Sequence, residues 1–285
     1  MLRLACCAVF ALLVTGCASH GVVDNAPGLA SNPDQVYSIE AMEERYRTDD
    51  NALMLAFSGG GTRAAALSYG VLQELRATPV AIEDGGERLL DEVHSIMSVS
   101  GGSFTAAYYG LHGDGIFDDY EEVFLRKNVQ GALFRGAFNP LRWFSGKSRT
   151  EMAVDYYEKN VFKGATFADL RRQNGPIIVI NASDLAGGVR FSFVQEYFNL
   201  LCSDLSSFSV ARAVTASSAV PVLFEPVTLR NHPECGKEQP DWLKTAHAQA
   251  VGNPELAMVV KGMGTYFDRD NRPYVHFVDG GITDN

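Results

Sequence analysis

Two stretches of the chain share one grammar. "ALMLAFSGGGTRAAALSYGVLQELRA" (residues 52–77) and "VHSIMSVSGGSFTAAYYGLH" (93–112) each pass from a short apolar strand through a small-residue turn into a helix. A strand that is apolar along its length has no face to give to water. Both faces must then be covered, as in a mostly parallel sheet with helices on either side. "GPIIVINASDLAGG" (175–188) is another buried strand, followed by "VRFSFVQEY". "FSVARAVTASSA" (208–219) reads as a helix and "PYVHFVDGG" (273–281) as a late strand. Functional groups in such sheets gather at the carboxyl ends of strands. The glycine turn, Ser100 and Asp279 all fall at predicted strand ends.

The first residues set the compartment. "MLRLACCAVFALLVTGCAS" carries Arg3 and then an unbroken apolar run from Leu4 to Val14. Such a run suits the core of a secretory leader and falls short of the ~20 residues needed to span a bilayer. It ends in "LVTGC", which resembles the bacterial lipoprotein signal, where the leader is cut just before the cysteine. Residues 1–16 are therefore expected to be a lipoprotein signal peptide, with an ordinary cleaved leader as the alternative. Cys17 would carry the acyl chains, of which two or more give stable anchoring. Residues 17–49, polar and lacking sustained periodicity until "YSIEAMEERYR", read as a lipidated tether with a short helix, and 50–285 as the folded domain. The expected location is the bacterial cell envelope. Ala18 after the cysteine resembles outer-membrane sorting, hence an anchor in the outer membrane facing the periplasm. The domain keeps Cys202 and Cys235, which an oxidising compartment would allow to pair, but the sequence leaves paired and unpaired forms open. A net charge of −10 argues against a nucleic-acid partner.

Three elements of the domain invite chemistry. In "SGGGTRA" (58–64) successive glycines let backbone N–H groups line a concavity at a helix N-terminus, fit for a phosphate or an oxyanion. Read from Gly59 to Ala64 the loop also resembles a dinucleotide turn. That reading is disfavoured, because no strand ending in an acid follows at the usual distance and an exported protein has no obvious nicotinamide supply. Ser100 sits where a nucleophile elbow places its serine, with Gly101 and Gly102 on the helix side and Ser98 where the familiar pattern has glycine. From these residues alone a serine-rich turn without chemistry reads equally well. Asp279 closes a strand with Gly280 and Gly281 beside it. A strand-end Asp is more often a turn former than a base. Histidine then decides between mechanisms. None follows Asp279, although the α/β-hydrolase order of Ser, acid, His requires one. His276 lies too far along the same strand to bridge, and His94 and His112 read as structural or surface residues. A Ser–Asp dyad fits better than a triad.

Taken in order, "GGGTR", "SVSGG", "ASSAVPVLFEPV" (216–227) and "DGG" resemble the patatin-like phospholipases over about residues 51–285. The loop and the "SGGS" tail of the elbow are also similar to the related cytosolic phospholipases. The resemblance implies an α/β fold, a three-layer α/β/α sandwich on a mostly parallel sheet. It implies a dyad in which Ser100 is the acyl acceptor and Asp279 its base. Gly60 and Gly61, with Gly59, would furnish oxyanion N–H groups. Arg63 would brace the loop or meet a lipid phosphate, and Ser98, Gly101, Gly102, Gly280 and Gly281 would support the elbow and the acid. No metal or other cofactor is implied, and the substrate would be a membrane phospholipid or another lipid ester, cleaved in phospholipase A or lysophospholipase fashion. Three departures stand out. Ser98 replaces the first elbow glycine, and Ala64 replaces the glycine that often ends the loop motif. The chain also stops at "DGGITDN", where family members continue into covering helices, which raises the expectation of a C-terminally truncated product.

Residues 123–150 contain no acid but hold Arg126, Lys127, Arg135, Arg142, Lys147 and Arg149, interleaved with Phe134, Phe138, Trp143 and Phe144. Both a membrane-docking lid and core aromatics beneath a solvated cationic face fit this pattern. Two other functions compete with hydrolysis by a dyad: a catalytically silent envelope lipoprotein that binds lipid or a partner in the same cleft, and a Ser–His–Asp esterase.

Overall fold

The structure, a computed structural model, describes residues 21–29, 36–41, 53–80, 88–128, 131, 147–171, 175–236 and 238–283. β1 (Leu53–Phe57) leads through the glycine turn into α1 (Thr62–Ala77), and β2 (Val93–Val99) leads into α2 (Gly101–His112). β1 and β2 pair in parallel, and β3 (Ile177–Asp184) joins β2 in parallel with Val99 facing Asn181. Every residue of β3 is buried. This is the cover on both faces that its isoleucine and valine run demands.

The remaining half of the sheet is antiparallel. β4 (Val189–Ser192) folds back along β3, from Asn181 opposite Ser192 to Asp184 opposite Val189. β5 (Val227–Arg230) pairs with β6 (Tyr274–Val278), which reaches β3 through Val278 opposite Ser183 and Phe277 opposite Asp184. The order is β1-β2-β3-β6-β5, with β4 paired to β3 off that path. Because β4 holds one edge of β3 over residues 181–184, β6 must use the other edge, which β2 occupies as far as Asn181. β2 and β6 therefore meet end to end on one edge of β3, each pointing its carboxyl end at the other.

Further helices include α3 (Arg149–Tyr157), α4 (Gln195–Leu200), α5 (Val210–Ser217), α6 (Asp241–Gln249) and α7 (Pro254–Gly264). α1 packs on α2, while α2 and α5 lie against β3, in the three-layer α/β/α arrangement. The core around β4 and β6 is aromatic. Phe191 lies 4.5 Å from Phe277, and Phe193, Phe198 and Phe208 complete the cluster. Each such ring contributes about 1.5–3 kcal/mol by burial, so the cluster fixes the height of β6 and hence of the residue that follows it. At the far end of β3 the buried Asp184 is held by Arg272 at 2.5 Å and by the Tyr266 hydroxyl at 2.8 Å. Burial, reinforced by this carboxylate, keeps the Tyr266 hydroxyl protonated well above the ordinary phenol range.

Residues 21–29 and 36–41, inside the stretch expected to serve as tether and short helix, lie on the domain. Ala26–Pro27 pairs with Ser203–Asp204, and the buried Asn25 donates to Ser203 Oγ and to the Arg230 carbonyl. Arg212, buried on α5, pairs with Asp24 and with Glu151, each at 2.7 Å. Tyr37 is 2 % exposed, and its hydroxyl accepts the Ile178 N–H at 2.6 Å. The leader and Cys17 lie outside the described residues, among which no helix is long and apolar enough to cross a membrane.

Cys202 and Cys235 form a disulfide with Cα atoms 5.5 Å apart across a separation of 33 residues. The Cys202 carbonyl also accepts the Gly28 N–H, which ties the N-terminal strap to the cross-linked loop. A loop of this length stabilises by about 3–4 kcal/mol, so replacing both cysteines with Ala is expected to lower the melting midpoint by about 6–16 °C. Scanning calorimetry under oxidising conditions checks this, and equal midpoints would show that the cross-link contributes nothing.

Candidate active site

The head-on meeting of β2 and β6 brings together the residues that follow them. Ser100 comes directly after β2 with φ +51° and ψ −118°. A non-glycine residue held there stores about 1–3 kcal/mol of strain. Its Oγ donates to Asp279 Oδ2 at 2.9 Å. Ser100 also occupies the N-cap of α2, where a serine oxygen ordinarily accepts a helix N–H. It makes no such cap here. The side chain is committed to Asp279, and the first amides of α2 keep their positive end beside the serine oxygen.

A polar relay that the sequence did not reveal fixes the strained turn. The Ser100 N–H donates to Ser217 Oγ at 2.8 Å, and Ser217 Oγ donates to the Asn181 carbonyl at 2.6 Å. With its single proton spent on Asn181, the Ser217 oxygen accepts from Ser100 and from the Ser103 hydroxyl 3.0 Å away. The Asn181 side chain in turn donates to the Ser98 carbonyl at 3.3 Å and accepts from Ser192 at 2.7 Å. Ser217→Ala leaves the buried Ser100 N–H unpaired, at a cost of about 1–3 kcal/mol. The expected result is a kcat lowered about tenfold with KM little changed, read by steady-state kinetics on a soluble ester. An unchanged kcat would remove Ser217 from the site.

Asp279 is both a turn former and the partner of Ser100. Its Oδ1 accepts the Gly281 N–H at 2.9 Å, which caps the turn Gly280–Ile282, and its own N–H donates to the Ala219 carbonyl at 3.0 Å. Oδ2 is thereby aimed at the serine. Gly280 permits the approach, since a Cβ there would lie 2.5 Å from the Asn181 carbonyl oxygen.

The glycine loop abuts the elbow. Gly60 and Gly61 take φ +137° and +65°, which turns the chain sharply into α1. A Cβ on Gly101 would stand 2.1 Å from the Gly61 carbonyl oxygen, and one on Gly102 would stand 2.6 Å from that of Phe57. The N-termini of α1 and α2 thus converge on Ser100 from parallel strands. Gly59 is half-buried at the start of the loop, and Arg63 is exposed on the first turn of α1. Ser98 is 1 % exposed and donates its hydroxyl to the Val179 carbonyl at 3.2 Å, so this position needs a small residue but not a glycine.

His94, His112 and His276 have contacts elsewhere in the domain. His276 lies within β6, whereas Asp279 follows its end as the N-cap of the turn Gly280–Ile282. His276 lines an open pocket with Asp268, Arg272 and Tyr274. His94 sits at the start of β2, its Nδ1 3.2 Å from the Leu53 N–H, and His112 packs on Tyr108. Most of the basic–aromatic stretch, including Phe134, Arg135, Phe138, Arg142, Trp143 and Phe144, lies outside the described residues.

Comparison with individually curated proteins gives no match. The sequence profile of the patatin-like phospholipases matches residues 55–285, a span that runs from β1 through the glycine loop, the elbow and Asp279. By that match, the chain belongs to the patatin-like phospholipase family.

Proposed function

We propose that the chain is a lipid acyl hydrolase of phospholipase A or lysophospholipase type, working through Ser100 and Asp279. The observation that carries this reading is the 2.9 Å hydrogen bond from a strained elbow serine to a strand-end carboxylate. Ser100 Oγ attacks the ester carbonyl while its proton passes to Asp279. N–H groups of the Gly59–Gly61 loop and the α2 N-terminus stabilise the oxyanion, one such donor being worth about 3–4 kcal/mol. The carbon–oxygen bond to the leaving alcohol breaks, and the alcohol takes the proton from Asp279. Water then attacks the acyl-enzyme, gives a proton to Asp279, and the fatty acid departs as Ser100 recovers its hydrogen. A carboxylate is a weak base for a hydroxyl, so the aim of Asp279 at Ser100 and the oxyanion donors must together lower the barrier. The substrate would be a membrane phospholipid or another lipid ester, reached from an anchor on Cys17 in the outer membrane facing the periplasm.

Fluorophosphonate labelling of wild type, Ser100→Ala and Asp279→Asn, with phospholipid hydrolysis in parallel, tests the reading. Labelling and hydrolysis should both vanish without Ser100. Absence of labelling in wild type would favour a silent lipid-binding protein, and labelling that survives in Ser100→Ala would remove the elbow assignment. Incorporation of an alkyne fatty acid that disappears in Cys17→Ser tests the anchor.

A further inference from the structure

We propose that Val220–Leu223 is a docking prong that dips into the surface of the lipid aggregate carrying the substrate. The inference rests on the acyl hydrolase reading above. The chain is buried through Ser217 and again at Ala219, and then turns outward: Val220 is 43 %, Val222 88 % and Leu223 37 % exposed, with the exposed Pro221 among them. Val222 has φ +74°. For a β-branched side chain that conformation is a true outlier, and such strain gathers where function over-determines the backbone. Folding alone would favour glycine for the angle and a polar side chain for the exposure.

The prong is braced at its base. The Val222 carbonyl accepts from Arg149 Nη2 at 3.2 Å, and the Leu223 and Phe224 N–H groups both donate to the Val220 carbonyl. Thr150 Oγ1 donates to the Glu225 carbonyl at 2.6 Å, which ties the far end to the start of α3. The prong is also continuous with the dyad. Ala219, the residue before it, accepts the Asp279 N–H, and Ser217 accepts that of Ser100. The base of the prong is thus tied to both Ser100 and Asp279.

Three aliphatic side chains and a proline are far too little for a stable protein interface, which needs about 800 Å² per partner. They do suit the hydrocarbon boundary of a lipid surface. Among the described residues, the cations at the start of α3 are paired, Lys147 with Asp155 at 2.5 Å and Arg149 with Glu225 at 3.6 Å. Apolar burial therefore drives docking, and zwitterionic vesicles should bind as well as anionic ones.

The test uses the full chain carrying Cys17→Ser, which removes the acyl anchor, and Ser100→Ala, which prevents turnover. Val222→Trp is added and phosphatidylcholine vesicles are titrated in, with the chain retaining Val222 as background. A blue shift of the added emission, and its quenching by lipids brominated on the acyl chains, is expected. No response to vesicles would overturn the proposal, as would a blue shift that follows protein concentration alone and so points to a second copy. In the catalytically intact Cys17→Ser chain, Val222→Gly and Leu223→Ser should lower hydrolysis of vesicles about tenfold more than hydrolysis of a soluble short-chain ester. Val222→Gly should keep or raise the melting midpoint, because glycine accepts the positive φ, which separates lost docking from misfolding. Equal effects on both substrates would also overturn the prong. Failure of the hydrolase reading shows instead as absent soluble-ester turnover in the chain with Val222 and Leu223 intact, and the fluorescence experiment needs no turnover.

Discussion

Asp279→Asn lowers kcat on a soluble ester by about 10²–10⁴-fold, the range supplied by a positioned general base, while the fold persists. Asparagine keeps an oxygen for the Gly281 N–H, and the backbone bond to Ala219 is untouched, so the turn Gly280–Ile282 is retained. What is lost, on the proposed mechanism, is the negative charge that receives the Ser100 proton across 2.9 Å. That proton moves only on the way to the transition state, so the loss falls on kcat rather than KM. Residual turnover reflects the glycine loop and the α2 terminus acting on an unassisted serine. Steady-state kinetics and the fluorophosphonate reaction rate read the effect, with circular dichroism as the check on folding. A kcat that stays at the wild-type level would remove Asp279 as the base.

Gly101→Ala is the second large effect. The added methyl would meet the Gly61 carbonyl oxygen at 2.1 Å and the Gly61 nitrogen at 2.8 Å, both backbone atoms of the opposing turn. One of the two turns must move. Overpacking of this kind costs about 1–3 kcal/mol in stability. On the proposed mechanism, displacing the Gly59–Gly61 loop by about 1 Å costs about 10²-fold in rate. The variant should therefore lose far more activity than stability, as measured by kcat alongside chemical denaturation. A variant that melts early yet turns over normally once folded would place the oxyanion donors elsewhere.

The parts of the site visible in the sequence were those built from local grammar. Strand, small-residue turn and helix follow one another within about a dozen residues, so Gly59–Gly61, Ser100 and Asp279 could be located at strand ends before any tertiary contact was known. Ser98 could be read as a small packing residue for the same reason, and its hydroxyl proves to be satisfied by Val179. The relay through Ser217 and Asn181 was not readable. Its hydrogen bonds span 117 and 36 residues, and nothing in "ASSAVP" says which hydroxyl faces the elbow. The antiparallel half of the sheet was hidden because pairing direction is a property of two strands, whereas an apolar run describes only one. Asn25 and Tyr37 were concealed for the opposite reason. They bury polar groups on a non-periodic segment, which reads as linker until its partners, Ser203 and Ile178, are in place. Cysteine pairing depends on distance, which composition does not encode.

The end-to-end meeting of β2 and β6 also has a consequence in time. The serine and its base are 179 residues apart and share no strand pairing, only a common neighbour in β3. A chain emerging from the ribosome, or threading through a translocation pore amino end first, exposes its serine long before the carboxylate exists beside it. Contacts of such sequence separation are slow to form, because the cost of loop closure must be met first. On the proposed mechanism the chain is thus inert until β6 docks and sets Asp279 beside Ser100. The topology works as a delay, because the proposed dyad is completed only by β6, the last of the described strands.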